Sequence, residues 1–165
     1  MTIKHSLGRE SFKVYKSGLH RDLKKIIDGA LEVCPVDFSL VDGKRTAKTQ
    51  FGLFQIGRRY DHQTNRWVEN GSGVVTYCDG YEKESKHQSG FAIDVAVYIP
   101  GRHDLKYDKI HMAVLIGSFL TVADMLYRMG DVTHGLRSGA DWDRDTQFLE
   151  PGTFIDMPHL ELIEP

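Results

Sequence analysis

Three polar residues stand beside or inside apolar segments: His87 ahead of a β-branched run, Asp94 in the middle of it, and His159 at the mouth of a last short apolar stretch. Imidazole nitrogen and carboxylate oxygen are both zinc donors. Two histidines and one carboxylate leave the fourth tetrahedral position open, as a catalytic site requires. A metal held in this way provides Lewis acidity for activating water and polarising a carbonyl. Spacing alone leaves a structural reading open, because an aspartate within a strand is often a satisfied core group.

These residues must be positioned by neighbouring elements. Leu19, Leu23, Ile26, Ile27, Ala30 and Leu31 recur at helical spacing behind Ser17, a suitable N-cap, and Pro35 ends the segment, which predicts a helix over about residues 18–33. Phe38 to Val41 alternates like a short half-buried strand and stops at Asp42-Gly43, which places Arg45 just beyond a strand end. Residues 47–58 are compatible with another helix. From about residue 50 to 84 the chain is polar, rich in turn signals and without long periodicity, and it reads as an elaborated surface loop. Phe91 to Ile99 is the best central strand, Lys109 to Met129 a largely apolar helix ending at Gly130, and Leu160 to Ile163 a final strand. The order of elements predicts one α+β domain over 1–165, a small antiparallel or mixed sheet packed with helices.

The bulk of the sequence narrows the function. Its 165 residues fit one domain, and 41% hydrophobic with 27% charged residues excludes a disordered chain. No apolar run reaches the ~20 residues of a membrane span. A net charge of −2 argues against a nucleic-acid partner. Cys34 and Cys78 lack the spacing of a thiolate metal site or a disulfide framework. Residues 1–17 are basic and read as a solvated arm, without the apolar core of a secretory signal.

The segment Ser85-Lys86-His87-Gln88-Ser89-Gly90-Phe91-Ala92-Ile93-Asp94 resembles the SxHxxGxAxD motif of the zinc D-alanyl-D-alanine carboxypeptidase and L-alanyl-D-glutamate peptidase family, which includes small phage endolysins. Further resemblance follows in order at Gly43 to Thr46, Leu136 to Trp142 and Asp156 to Glu161, so that it covers about residues 19–163. The resemblance implies a hedgehog/D,D-peptidase-like fold and one zinc held by His87, Asp94 and His159. It makes Asp156 the general base and Arg45 the cation near the reacting carbonyl or a substrate carboxylate. Ser85 and Trp142 are expected to contact substrate or support a ligand. Without the resemblance, Arg45 reads as a salt-bridge partner, Ser85 as a turn residue and Trp142 as core.

The function so implied is hydrolysis of peptidoglycan stem peptides, between L-alanine and D-glutamate, by a phage endolysin. It would act as a monomer, made in the host cytoplasm and reaching the wall through a membrane lesion. The alternatives are a D-alanyl-D-alanine carboxypeptidase and an inactive zinc-stabilised wall-binding module. His134 is a reserve ligand. Asp141, Asp143 and Asp145 alternate like the start of a calcium loop, but Thr146 and Gly152 occupy places where an EF-hand needs glycine and glutamate. A solvated acidic loop is the simpler reading, with irregular calcium binding its alternative.

Overall fold

Helix α1 (Arg9–Tyr15) lies within the stretch expected to be a solvated arm, and it belongs to the fold: buried Ser11 accepts the Leu40 N–H on its Oγ at 3.0 Å. The computed structural model describes residues 4–71, 73–149 and 151–164, so the first three residues of that arm lie outside it. Helix α2 (Arg21–Val33) buries Leu23, Ile26, Ile27 and Ala30 along one face. Its N-cap is His20 instead of Ser17, because the His20 ring accepts the Asp22 N–H. Ser17 Oγ accepts the Lys44 N–H instead.

Strand β1 (Phe38–Asp42) leads to helix α3 (Ala47–Gln55), which is capped by Thr46. The region expected to be an irregular loop then folds in part. Strands β2 (Arg58–Asp61) and β3 (Arg66–Glu69) form an antiparallel hairpin. Tyr60 and Trp67 face each other across this hairpin with centroids 5.4 Å apart. Such aromatic cross-strand pairs stabilise short ribbons.

A one-turn helix α4 (Lys86–Ser89) precedes the central strand β4 (Ala92–Val97), and a 3-10 turn at His103–Leu105 leads to helix α5 (Lys109–Arg128). Met112, Leu115, Ile116, Phe119, Val122 and Ala123 form the buried face of α5. Each large side chain removed from water there contributes about 1.5–3 kcal/mol. Helix α5 is also long and apolar enough to cross a membrane by length and composition alone, contrary to the expectation that no segment would be. In this fold its apolar face covers the sheet, with Phe119 against Phe38 at 5.0 Å between centroids. Gly29 lets α2 approach α5 closely, since a Cβ there would lie 2.6 Å from Val122 Cγ1.

Strands β5 (Gly135–Gly139) and β6 (Asp156–Ile163) complete a four-stranded antiparallel sheet in the order β1-β4-β6-β5. The architecture is the expected α+β type. Strand β5 was not anticipated, and β6 begins four residues earlier than Leu160. Two irregularities lie at the end of the sheet that carries Asp94 and Asp156. The β1–β4 register shifts between Leu40 and Asp42, and the β5–β6 register shifts between Ser138 and Gly139. Such bulges re-aim side chains at the end of a sheet.

Candidate metal centre and cleft

Register brings the two halves of the site together. Asp94 on β4 is paired with His159 on β6 and, on its other side, with Asp42 on β1. His87 is delivered by α4, whose capping is complete: Ser85 Oγ accepts the His87 N–H at 3.3 Å, and Gln88 Oε1 accepts the Ser85 N–H at 3.0 Å. The helix stops at Gly90, whose φ of +77° suits glycine. A Cβ at Gly90 would also lie 2.4 Å from the Gly18 carbonyl oxygen.

The three donor atoms form a nearly equilateral triangle. His87 Nε2 is 3.3 Å from Asp94 Oδ1, His159 Nδ1 is 3.2 Å from the same oxygen, and the two nitrogens are 3.2 Å apart. Ligands bonded tetrahedrally at about 2.0 Å are separated by about 3.3 Å. The observed triangle therefore has the dimensions of one face of a tetrahedral metal site.

The partners of these atoms determine which lone pairs converge. His87 Nδ1 lies 2.7 Å from the Gly43 carbonyl, which can only accept, so Nδ1 carries the proton and Nε2 offers a lone pair. His159 Nε2 lies 3.0 Å from Glu161 Oε2, which leaves Nδ1 facing Asp94. Asp94 Oδ2 accepts from Arg45 Nη2 at 3.2 Å, leaving Oδ1 for the shared point. Three electron-rich atoms meeting in this way favour a cation among them.

Ionisation follows the same logic. Burial opposes the charge on Asp94, but the His159 and His87 rings against it outweigh that penalty and hold the carboxyl well below the ordinary carboxylate range. Burial likewise disfavours a charged His159, yet its bonds to Asp94 and Glu161 push it up to about 9. In the metal-free chain a proton on His159 thus satisfies the carboxylates around it.

The triangle opens into a cavity of about 670 Å³ whose walls include Asp156, Arg45, Ser85 and Trp142. All the residues assigned to the site from the sequence therefore meet in one cleft. Desolvation, then the charge of Asp94, raises the Asp156 carboxyl above its ordinary value, against the pull of His159, His87 and Arg45. Arg45 is nearly buried, bonding Gln50 Oε1 at 3.1 Å and pairing with Asp42 at 3.0 Å as well as with Asp94. Ser85 acts on the cap of α4. The Trp142 ring lies 5.4 Å from that of His159 and stacks at 6.5 Å on Phe154, which meets Tyr77 at 5.6 Å.

Glu161, Arg137, Gln50 and the Gly43 carbonyl had no role assigned from the sequence. Glu161 and Arg137 lie within the recognised segments, and a histidine and a glutamate two apart on a strand was the available signal. His134 is not a reserve ligand for this centre. It pairs with Asp22 at 2.9 Å and packs on His20 at 4.8 Å, at the N-terminus of α2. His20, Asp22 and His134 form a second group of possible donors, with their atoms within 4.8 Å. Asp141, Asp143 and Asp145 form another, although turn hydrogen bonds from Thr146 and Gln147 already engage Asp141 and Asp145.

His159 on β6 and Asp94 on β4 meet His87 of α4 at one wall of an open cleft, beside a carboxylate and an arginine, a donor set that could hold a metal ion. Residues 3–163 match the family model described as phage L-alanyl-D-glutamate peptidase, and the chain belongs to that family. It is 29% identical over 146 residues to the L-alanyl-D-glutamate peptidase of Escherichia phage T5, covering 86% of this chain and 87% of that protein. Its fold is similar to the crystal structure of the Serratia marcescens L-Ala D-Glu endopeptidase ChiX. There the TM-score is 0.62 with 22% identity, covering 98% of this chain and 92% of the other.

Proposed function

We propose that this chain is a zinc-dependent endopeptidase that cuts the L-alanyl-D-glutamate bond of peptidoglycan stem peptides, with His87, Asp94 and His159 as its metal ligands. The observation that carries the reading is the triangle of donor atoms at 3.2–3.3 Å, with a proton-accepting partner behind each histidine. Family membership supplies the substrate class.

Zinc held by His87, Asp94 and His159 would supply Lewis acidity for activating water and polarising the scissile carbonyl. The side chains provide the rest. Asp156, with its carboxyl raised by burial, takes the proton from the attacking water and returns it to the leaving amine. Arg45 offers fixed positive charge in the cleft and holds Asp94 in orientation through Oδ2. Trp142, Phe154 and Tyr77 form an aromatic wall for the stem peptide, and Ser85 keeps α4 and His87 in place.

The same chemistry would serve a D-alanyl-D-alanine carboxypeptidase. The endopeptidase reading rests on the family, and it fits an endolysin that accumulates in the host cytoplasm and reaches the wall through a membrane lesion. Digestion of purified peptidoglycan with mass analysis tests it. Glycan fragments bearing only L-alanine are expected, whereas loss of one terminal alanine from an otherwise intact stem would replace this reading with the carboxypeptidase.

A further inference from the structure

We propose that Glu161, held in place by Arg137, is a positioning residue that locks His159 as the Nε2–H tautomer and so commits Nδ1 to the metal. This rests on the proposed zinc centre of His87, Asp94 and His159. His159 and Glu161 are two apart on β6, so the pleat places both side chains on one face of the strand. Both are nearly buried, at 7% and 6% exposure, and Oε2 sits 3.0 Å from His159 Nε2.

An ionised carboxylate only accepts hydrogen bonds, so the proton on this edge of the ring must belong to the imidazole. Arg137 stands directly opposite Glu161 on β5 and donates through Nη2 to Oε1. That pairing occupies the second carboxylate oxygen and sustains its charge in a buried place. Arg137 Nη1 in turn donates to the Trp142 carbonyl at 3.0 Å, and the guanidinium lies over the Trp142 ring at 5.2 Å. One chain of contacts therefore runs from the aromatic wall of the cleft, through Arg137 and Glu161, to a metal ligand.

The alternative is that Arg137 and Glu161 merely join β5 to β6. The two accounts differ in what happens to metal binding. A partner that fixes a ligating histidine typically accounts for about 10- to 100-fold in metal affinity. A cross-strand pair would alter unfolding and leave the affinity of the folded protein alone.

Zinc affinity is measured by chelator competition in the wild type and in Glu161→Ala, with the fold of each metal-free protein checked by circular dichroism. The wild type is expected to bind one zinc at this centre, and the variant to bind it about 10- to 100-fold more weakly. Long-range 15N–1H NMR of the zinc-loaded wild type needs no variant, and is expected to show His159 protonated at Nε2 and metallated at Nδ1. A folded variant with unchanged affinity, or metallation of His159 through Nε2, overturns the role of Glu161 while the metal centre stands. A wild type that binds no zinc overturns both.

Discussion

His87 Nε2 and His159 Nδ1 lie 3.2 Å apart although 72 residues separate them in the chain. One ring arrives on a capped single-turn helix and the other on a central strand. Each is oriented by a different kind of acceptor, a backbone carbonyl behind His87 and a carboxylate behind His159. With both outer nitrogens protonated, the inner nitrogens share an edge with Asp94 that a cation can occupy.

Removing either imidazole leaves only two of the three donors. Both His87→Ala and His159→Ala are expected to lose stoichiometric zinc and hydrolytic activity, as measured by elemental analysis and peptidoglycan digestion. Zinc added to the wild type at about a hundred times its dissociation constant should stabilise the fold by about 2.7 kcal/mol. A melting temperature that ignores zinc would contradict a single strong site.

Asp156→Asn keeps the shape of the side chain and removes the proton acceptor. Zinc content should be unchanged while kcat falls by about 10²- to 10⁴-fold. In the wild type, burial and Asp94 raise this carboxyl. The active form is the carboxylate, so activity should fall as pH drops and begin to fall at a pH above the range of an ordinary aspartate. A variant that keeps near-normal turnover would assign the base elsewhere.

Arg45 contacts Asp42, Gln50 and Asp94 at once, which a lysine ammonium on its flexible stem cannot reproduce. Arg45→Lys is expected to lower kcat/KM by about 10- to 100-fold, comparable to one charged hydrogen bond. Steady-state kinetics on a defined muropeptide measure this, and wild-type values would remove the guanidinium from the mechanism.

Outside the lining of the cleft, Asp22 Oδ2 accepts from Thr133 N at 2.8 Å, Thr133 Oγ1 at 2.9 Å and His134 Nδ1 at 2.9 Å, tying α2 to the approach of β5. Burial works against its charge, but these bonds hold the carboxyl well below the ordinary range. A depressed folded-state value means that the contribution is complete above the unfolded value and is lost as pH falls through the folded one. Stability should therefore decline below about pH 4. Asp22→Ala should cost about 2–4 kcal/mol in denaturant unfolding and flatten that acid limb. An unchanged midpoint would show the cluster to be energetically idle.

Sequence alone was enough for the elements whose pattern is local. The spacing of Leu23, Ile26, Ile27 and Ala30 marks α2, and the β-branched run around Asp94 marks β4, because burial of one face imposes its own period on the residues that supply it. The ordered family segments likewise pointed to His87, Asp94, His159, Asp156 and Arg45 as members of one site, since chemistry restricts residue type at each place.

Tertiary structure decided what depends on register and on distant partners. Gly135–Gly139 is too short and glycine-bounded to show a strand period, and it becomes β5 only by pairing with β6. The same pairing sets Arg137 opposite Glu161 and so determines what stands behind His159. His134 directly precedes β5 and its recognised residues yet turns to Asp22, 112 positions away. Which nitrogen of each histidine faces Asp94 is likewise absent from the order of residues. A tautomer is fixed by the acceptor on the other side of the ring, and the fold alone brings that acceptor there.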